Sequence, residues 1–268
     1  MTPAAVAARR WTPPPLIRNP WVRRGLVLGA VAYLVVALGS LHVNWVRMLE
    51  GLERGGAFLV GFARPDFASR WGEISEGIVE SLVMTVASTV IGVLISIPIG
   101  LGAARNLAPM PVYLVCRGIV AVSRTFQEVI IAILFVAMFG FGPLAGVLTL
   151  AFATIGFLAK LLAEDIEATD PAQAEAIRAT GASWGQLLNY GIQPQVMPRL
   201  IGLSLYRLDI NFRESAVIGI VGAGGVGATL NTAFDRYEYD TAGAILLTII
   251  VIVMASEYAS GLIRRRVQ

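Results

Sequence analysis

Ser81 to Ala104 reads SLVMTVASTVIGVLISIPIGLGAA, 24 residues without an Asp, Glu, Lys or Arg, bounded by Glu80 and Arg105. As a helix rising 1.5 Å per residue it would reach roughly 36 Å, longer than the ~30 Å hydrocarbon core of a bilayer, so the run predicts a transmembrane helix. Pro98 and Gly100 inside it are tolerated where neighbouring elements satisfy the freed backbone groups, and they mark a kink. The whole chain agrees with a membrane setting. It is 56% hydrophobic and 15% charged, with a mean hydropathy of +0.70, whereas a soluble domain carries roughly a quarter charged residues.

Outward from that span, Gly25 to Val46 is another charge-free run of 22 residues. It is too long for a signal-peptide core and shows no small-residue cleavage site, so it reads as a retained anchor. Val112 to Ser123 and Val129 to Phe139 are interrupted by Arg124-Thr125-Phe126-Gln127-Glu128. Each half is under ~20 Å as a helix, so the two count as one bent crossing. Gly140-Phe141-Gly142-Pro143 signals a turn, after which Leu144 to Ala163, Leu200 to Gly222 and Thr241 to Ile263 complete six crossings.

Six crossings place both ends on one side. The 12 basic residues on segments predicted cytosolic, against five on those predicted outside, support that arrangement through the positive-inside rule. The predicted organisation is a cytosolic tail at 1–24, a first transmembrane helix at 25–46 and an external loop at 47–80. A five-helix core follows at 81–263, with a cytosolic loop at 164–199 and a short cytosolic tail at 264–268. The first tail contains five Arg, no acid and Pro13-Pro14-Pro15, a composition that buries no core.

Several function classes drop out. His42 and Cys116 are the single His and the single Cys, too few for a closed zinc site of about four ligands, and His42 has no carboxylate near it in sequence for catalysis. Its simplest role is an interfacial polar side chain. Lys160 is the only lysine and no Walker A pattern occurs, so no phosphate-cradling loop of that kind exists in the chain. Gly222-x-Gly224-x-x-Gly227, with Asp240 beyond it, fits the dinucleotide fingerprint literally. That motif needs a strand, turn and helix, and here the preceding apolar run is a span. The glycines read better as points of close backbone approach, or as a bend at an outer gate. The formal charge of +3 reads as topology rather than nucleic-acid binding.

The loop from Glu164 to Arg199 carries the clearest local signals. Asp170-Pro171-Ala172-Gln173 combines an N-cap Asp, Pro at the first helical position and Gln at the third, and the helix it opens should stop at Gly181. Ser183-Trp184-Gly185-Gln186 repeats the cap for a second short helix ending near Gly191, and Pro194 and Pro198 should prevent simple continuation into the fifth span. Glu175-Ala176, Gly181 and Pro194 stand at the spacing of the EAA loop of ABC-importer membrane subunits, which this segment resembles. Ile177, Gly191 and Gln193 depart from the family pattern of Glu-Ala-Ala, three residues, Gly, nine residues and Ile-x-Leu-Pro.

The resemblance implies an all-α, polytopic membrane protein with six transmembrane helices and a type I ABC-importer permease-like core. It also implies that Glu175, Ala176, Gly181, Ala182 and Pro194 couple to a separate ATPase. Asn211-Phe212-Arg213-Glu214 and the glycine run ending at Gly227 look like phosphonate-importer permeases, as do Arg124, Glu128 and the Phe139-Gly140-Phe141-Gly142 turn. The implied function is a translocation path for a phosphonate or related phosphorus oxyanion.

The expected partners are a cytosolic ABC ATPase dimer, an external substrate-binding protein and a second permease copy or related permease, all at the lipid bilayer of the plasma (inner) membrane. No cofactor is expected on this chain, with ATP and Mg on the partner ATPase. Phosphate, an amino acid or another small solute remain alternative cargoes. An ATP-independent secondary transporter or channel remains an alternative mechanism, although no internal inverted repeat is visible.

Four Arg, at 117, 124, 207 and 213, fall inside predicted spans, where a charge is costly and turns toward a partner or an aqueous path. A guanidinium suits a phosphoryl group. The candidate path residues are therefore Arg124, Glu128, Arg207, Asp209, Arg213 and Glu214, with Gly222, Gly224, Gly225 and Gly227 as candidate gate or close-packing positions. Asp209 with Arg213, and Arg124 with Glu128, are each four apart and could instead neutralise each other on one helical face.

Overall fold

The computed structural model describes residues 19–40 and 44–267. His42 and most of the 1–24 tail lie outside the described residues. The chain divides into two units, Met1–Gly55 and Gly56–Gln268.

In the first unit, α1 (Pro20–Ser40) is 21 residues long and buries none of them. It starts earlier than the charge-free window suggested because Asn19 caps it: the Asn19 Oδ1 accepts from the Trp21 amide at 3.0 Å, and Pro20 fits a first helical position. Arg23 and Arg24 simply ride on its first turns, as long cationic side chains at a span's end can. It also stops short of Val46. Asn44 Oδ1 accepts from the Arg47 amide at 3.1 Å, opening α2 (Trp45–Phe62), whose first turns belong to this unit. The stretch 47–80 is thus mostly helical, holding nearly all of α2 and the start of the next helix.

The second unit continues with α3 (Trp71–Ala103), α4 (Met110–Thr125), α5 (Glu128–Phe139), α6 (Pro143–Glu167), α7 (Pro171–Ala179), α8 (Trp184–Gln186), α9 (Gln193–Ile218), α10 (Gly225–Asp235) and α11 (Tyr239–Val267). No strand occurs among the described residues. α1, α3, α6 and α11 are each long and apolar enough to cross a bilayer. The pair α4 and α5, bent by 95°, and the segment Trp184–Ala223 with α10, bent by 58°, bring the number to six if each pair is one span. Pro98 sits inside α3 without ending it.

α3 shows how such a helix packs. Its exposed stripe is apolar, at Val79, Val83, Val86, Val90 and Leu94, while its buried stripe is small or hydroxylic, at Ser81, Thr85, Ser88, Gly92, Ser96 and Gly100. Lipid supplies no drive to hide the valines, so close backbone approach between small residues is what holds the helices together. The buried hydroxyls donate to their own helix, Thr85 to Ser81 O at 2.7 Å and Ser96 to Gly92 O at 2.6 Å. A Cβ on Gly92 would come within 2.5 Å of Thr154 on α6.

One expectation fails. Pro194 and Pro198 do not separate the second short helix from the fifth span, because α8 passes through a π-helical turn at Leu187–Ile192 directly into α9. Pro194 falls in the first turn of α9, where the missing donor would have no intrahelical partner in any case, and Pro198 sits inside α9 without ending it.

Candidate functional site

The loop between α6 and α9 is built by local capping. Asp170 Oδ1 accepts from the Ala172 amide at 2.9 Å and opens α7. Gly181 takes φ +79 with nothing within 4 Å of where a Cβ would stand, so only its left-handed backbone selects glycine. The Ser183 amide donates to Gln186 Oε1 at 2.8 Å. Glu175, Ala176, Gly181 and Pro194 are exposed and Ala182 half-buried. Gly191, standing where the EAA pattern has Ile, is buried, and its Cβ position lies 3.5 Å from Ala174 Cα; α7 therefore packs closely on the π-helical turn.

Both ends of this loop are tied down. Glu167 Oε1 accepts from the Arg105 amide at 2.8 Å and from Arg117 at 2.9 Å, while Arg117 Nε donates to Ala103 O at 2.9 Å. On the other side, Asp165 pairs with Arg199 at 3.1 Å, and the Asp170 amide donates to Gln195 Oε1 at 2.9 Å. Arg117 is thereby accounted for structurally.

Between the helices lies a polar cluster. Arg207, 3% exposed, donates from Nε to Thr154 Oγ1 at 3.1 Å and pairs with Glu214 at 3.1 Å, with Glu128 at 3.9 Å and the Phe157 ring centroid 5.6 Å away. Asn211, fully buried, donates to Thr89 Oγ1 at 2.8 Å and to Thr154 Oγ1 at 3.0 Å. These bonds join α3, α6 and α9, and they leave Arg207 committed to protein partners. Arg213 pairs with Asp209 at 2.9 Å, and Asp209 also accepts from Ser256 at 2.7 Å. Mutual neutralisation is therefore the arrangement adopted by Asp209 and Arg213.

Arg124 and Glu128 behave otherwise. Phe126 and Gln127 are extended, at φ −95, ψ 138 and φ −75, ψ 144, so the two side chains sit on different helices and share no helical face. Broken backbone at membrane depth is tolerated where it lines a cavity, and a cavity of about 380 Å³ opens here, lined by residues 123–128 with Ala153, Phe157 and Arg207. Arg124 is exposed and forms no ion pair among the described residues. Thr89, Thr154, Asn211 and Phe157 were missed as members of this site; the hydroxyls at four-residue spacing and the lone Asn in an apolar span were the available signals.

The glycines meet at the α9–α10 bend. Gly222 has φ +94, and its carbonyl accepts from the Gly142 amide at 3.0 Å, so the Phe139–Gly142 turn packs on the glycine run. The Gly225 amide donates to Glu80 at 2.9 Å and the Val226 amide to Ser81 at 2.9 Å. A Cβ on Gly227 would stand 2.0 Å from Ala216 O. Gly222, Gly224, Gly225 and Gly227 thus form a close-packed bend with no dinucleotide geometry. In the same unit, Arg70 bridges Glu73 at 2.8 Å and Glu238 at 2.6 Å. Nearby, the Ser69 hydroxyl and amide and the Ala68 amide hold the Asp66 carboxyl below its usual range.

Known proteins supply an independent comparison. A family model described as binding-protein-dependent transport system inner membrane component matches residues 96–268. Over 98% of its length the chain is 39% identical to the phosphate-import permease protein PhnE of Mycolicibacterium smegmatis, although it spans only 50% of that protein. It is 38% identical to the phosphite transport system permease protein PtxC of Stutzerimonas stutzeri, over 91% of this chain and 90% of that one. Among solved structures, an inward-facing MetNI methionine ABC transporter shares the fold, with a TM-score of 0.63 and 24% identity over 75% of this chain and 100% of that one.

Proposed function

We propose that this chain, which belongs to the binding-protein-dependent transport system inner membrane components, forms the translocation path for a phosphonate or related phosphorus oxyanion. It is a permease subunit and not an enzyme. The observation that carries the cargo reading is the cavity at the α4–α5 break, where Arg124 lacks an ion partner while Arg207 and Arg213 are already neutralised. Its planar fork of donors suits a phosphoryl group. The names of the relatives, phosphate-import and phosphite transport, support the same class. Inorganic phosphate is a second reading, favoured by the first of those names.

In this reading Arg124 and Glu128 meet the cargo. Arg207, Glu214, Asp209 and Arg213 shape the path from behind, and the glycines at 222, 224, 225 and 227 form a bend that gates it. Two copies, or this chain and a related permease, enclose the route. An external binding protein delivers the cargo, and a cytosolic ATPase dimer, carrying ATP and Mg, docks on the loops at 164–199. Both termini then face the cytosol in the plasma membrane. Membership in a binding-protein-dependent family supports this over an ATP-independent carrier.

Closure of the ATPases would push the exposed Glu175–Ala176 helix. The ties at Glu167 and Asp165 would pass that push to α4 and α9 as rigid bodies. The test is Gly181→Pro in the reconstituted complex: coupled uptake should be lost while membrane insertion stays normal. Uptake at the wild-type rate would sink the coupling role.

A further inference from the structure

We propose that Glu128 makes the path selective for the singly protonated form of a phosphorus oxyanion, by accepting a hydrogen bond from the P–OH group while Arg124 donates to the ionised oxygens. The inference rests on the reading above that this cavity meets the cargo.

Charge placement around the cavity carries it. Arg207 takes its short ion pair from Glu214 at 3.1 Å, on its own helix, and stands 3.9 Å from Glu128, beyond hydrogen-bond reach. Neither Glu128 oxygen accepts a hydrogen bond among the described residues, and its side chain is a third exposed into the opening. The charged groups that face it are Arg124 from α4 and Arg207 and Glu214 from α9, while α6 contributes only uncharged Ala153, Thr154 and Phe157. The extended pair Phe126-Gln127 keeps Arg124 and Glu128 from closing on each other. The cavity therefore presents one unpaired cation and one carboxylate whose ion pair, to Arg207, is long.

An ionised carboxylate only accepts hydrogen bonds. A ligand that fits both groups must bring ionised oxygens and one proton to donate. A phosphonate, phosphite or phosphate monoanion does so. A doubly ionised phosphonate or phosphite, like sulfate, has no such proton and meets Glu128 as a like charge, whereas doubly ionised phosphate still keeps one P–OH. A hydrogen bond to a charged group is worth roughly 10- to 100-fold in affinity, which sets the expected discrimination.

The test titrates radiolabelled methylphosphonate, phosphite and sulfate onto the purified permease–ATPase complex in nanodiscs, without the external binding protein, across pH. Wild type should hold methylphosphonate at least about tenfold tighter than sulfate. It should release each phosphorus oxyanion as pH rises through that ligand's own second ionisation, so the midpoints follow the ligand and not the protein. Glu128→Gln, whose amide can donate, should bring sulfate within a few-fold of methylphosphonate and flatten the pH dependence.

Equal affinity of wild type for monoanion and dianion, or an unchanged preference in Glu128→Gln, overturns the proposal. A wild-type complex that holds no phosphorus oxyanion at all would instead remove the path reading beneath it. Should the variant fail to assemble, the ligand-dependent midpoints in wild type decide the question alone.

Discussion

The loop between α6 and α9 and the polar cluster around Arg207 are both held by hydrogen bonds, yet the same kind of bond carries different weight in each. In the loop, Glu175, Gly181 and Pro194 are exposed and the ties at Glu167 are partly solvated, with side chains 30% and 32% exposed across the Arg117 pair. Water can replace any one of them. In the cluster, Arg207 and Asn211 are buried and bond to protein acceptors through Arg207 Nε and Nη2 and through Asn211 Nδ2, so a lost partner is less readily replaced by water. An exposed loop tolerates loose bonding, whereas a polar cluster buried between apolar helices does not.

The hardest strike at that contrast is Glu214→Ala. It removes the nearest counter-charge of a buried guanidinium and should cost about 3–5 kcal/mol, read as a collapse in the yield and melting temperature of the purified permease. A stable variant would show that Arg207 is not electrostatically committed. Gly227→Ala ranks next. Its Cβ would meet Ala216 O at 2.0 Å, and forcing α9 from α10 should cost about 1–3 kcal/mol. Gly181→Ala, facing open space, should cost only the left-handed backbone term of about 1–2 kcal/mol, and paired melting curves separate the two. Glu167→Gln should do least. A half-solvated pair is worth ~0–1 kcal/mol, so its melting temperature should barely move, and a double-mutant cycle with Arg117→Gln should return a coupling within that range. A coupling of several kcal/mol would erase the distinction between the regions.

The two regions were also unequally readable. Asp170, Pro171, Gly181 and the Ser183–Gln186 pair announced helix starts and stops because each acts on backbone within four residues of itself. Where the reading of the loop failed, at Pro194, the reason was a π-helical turn whose wider pitch no single residue advertises. In the cluster, the residue types were visible and the pairings were not. Arg207 takes Glu214, two turns along α9, together with Thr154 from α6, while the four-residue pair Arg124 and Glu128 is split by a break in the helix. Spacing along a chain reports contacts only while the helix continues.

Apolar runs of bilayer length, punctuated by charges, by themselves determined that this is an all-helical membrane chain with up to six crossings, because the cost of unpaired backbone in lipid leaves few other solutions. Local caps likewise determined where the α6–α9 loop begins and turns. Which arginine is neutralised, which is left open to a cavity, and that the Phe139–Gly142 turn lands on the glycine run were decided only by the tertiary structure. Those outcomes depend on where separate helices lie side by side, and the packing of small residues that sets those positions acts between segments tens of residues apart.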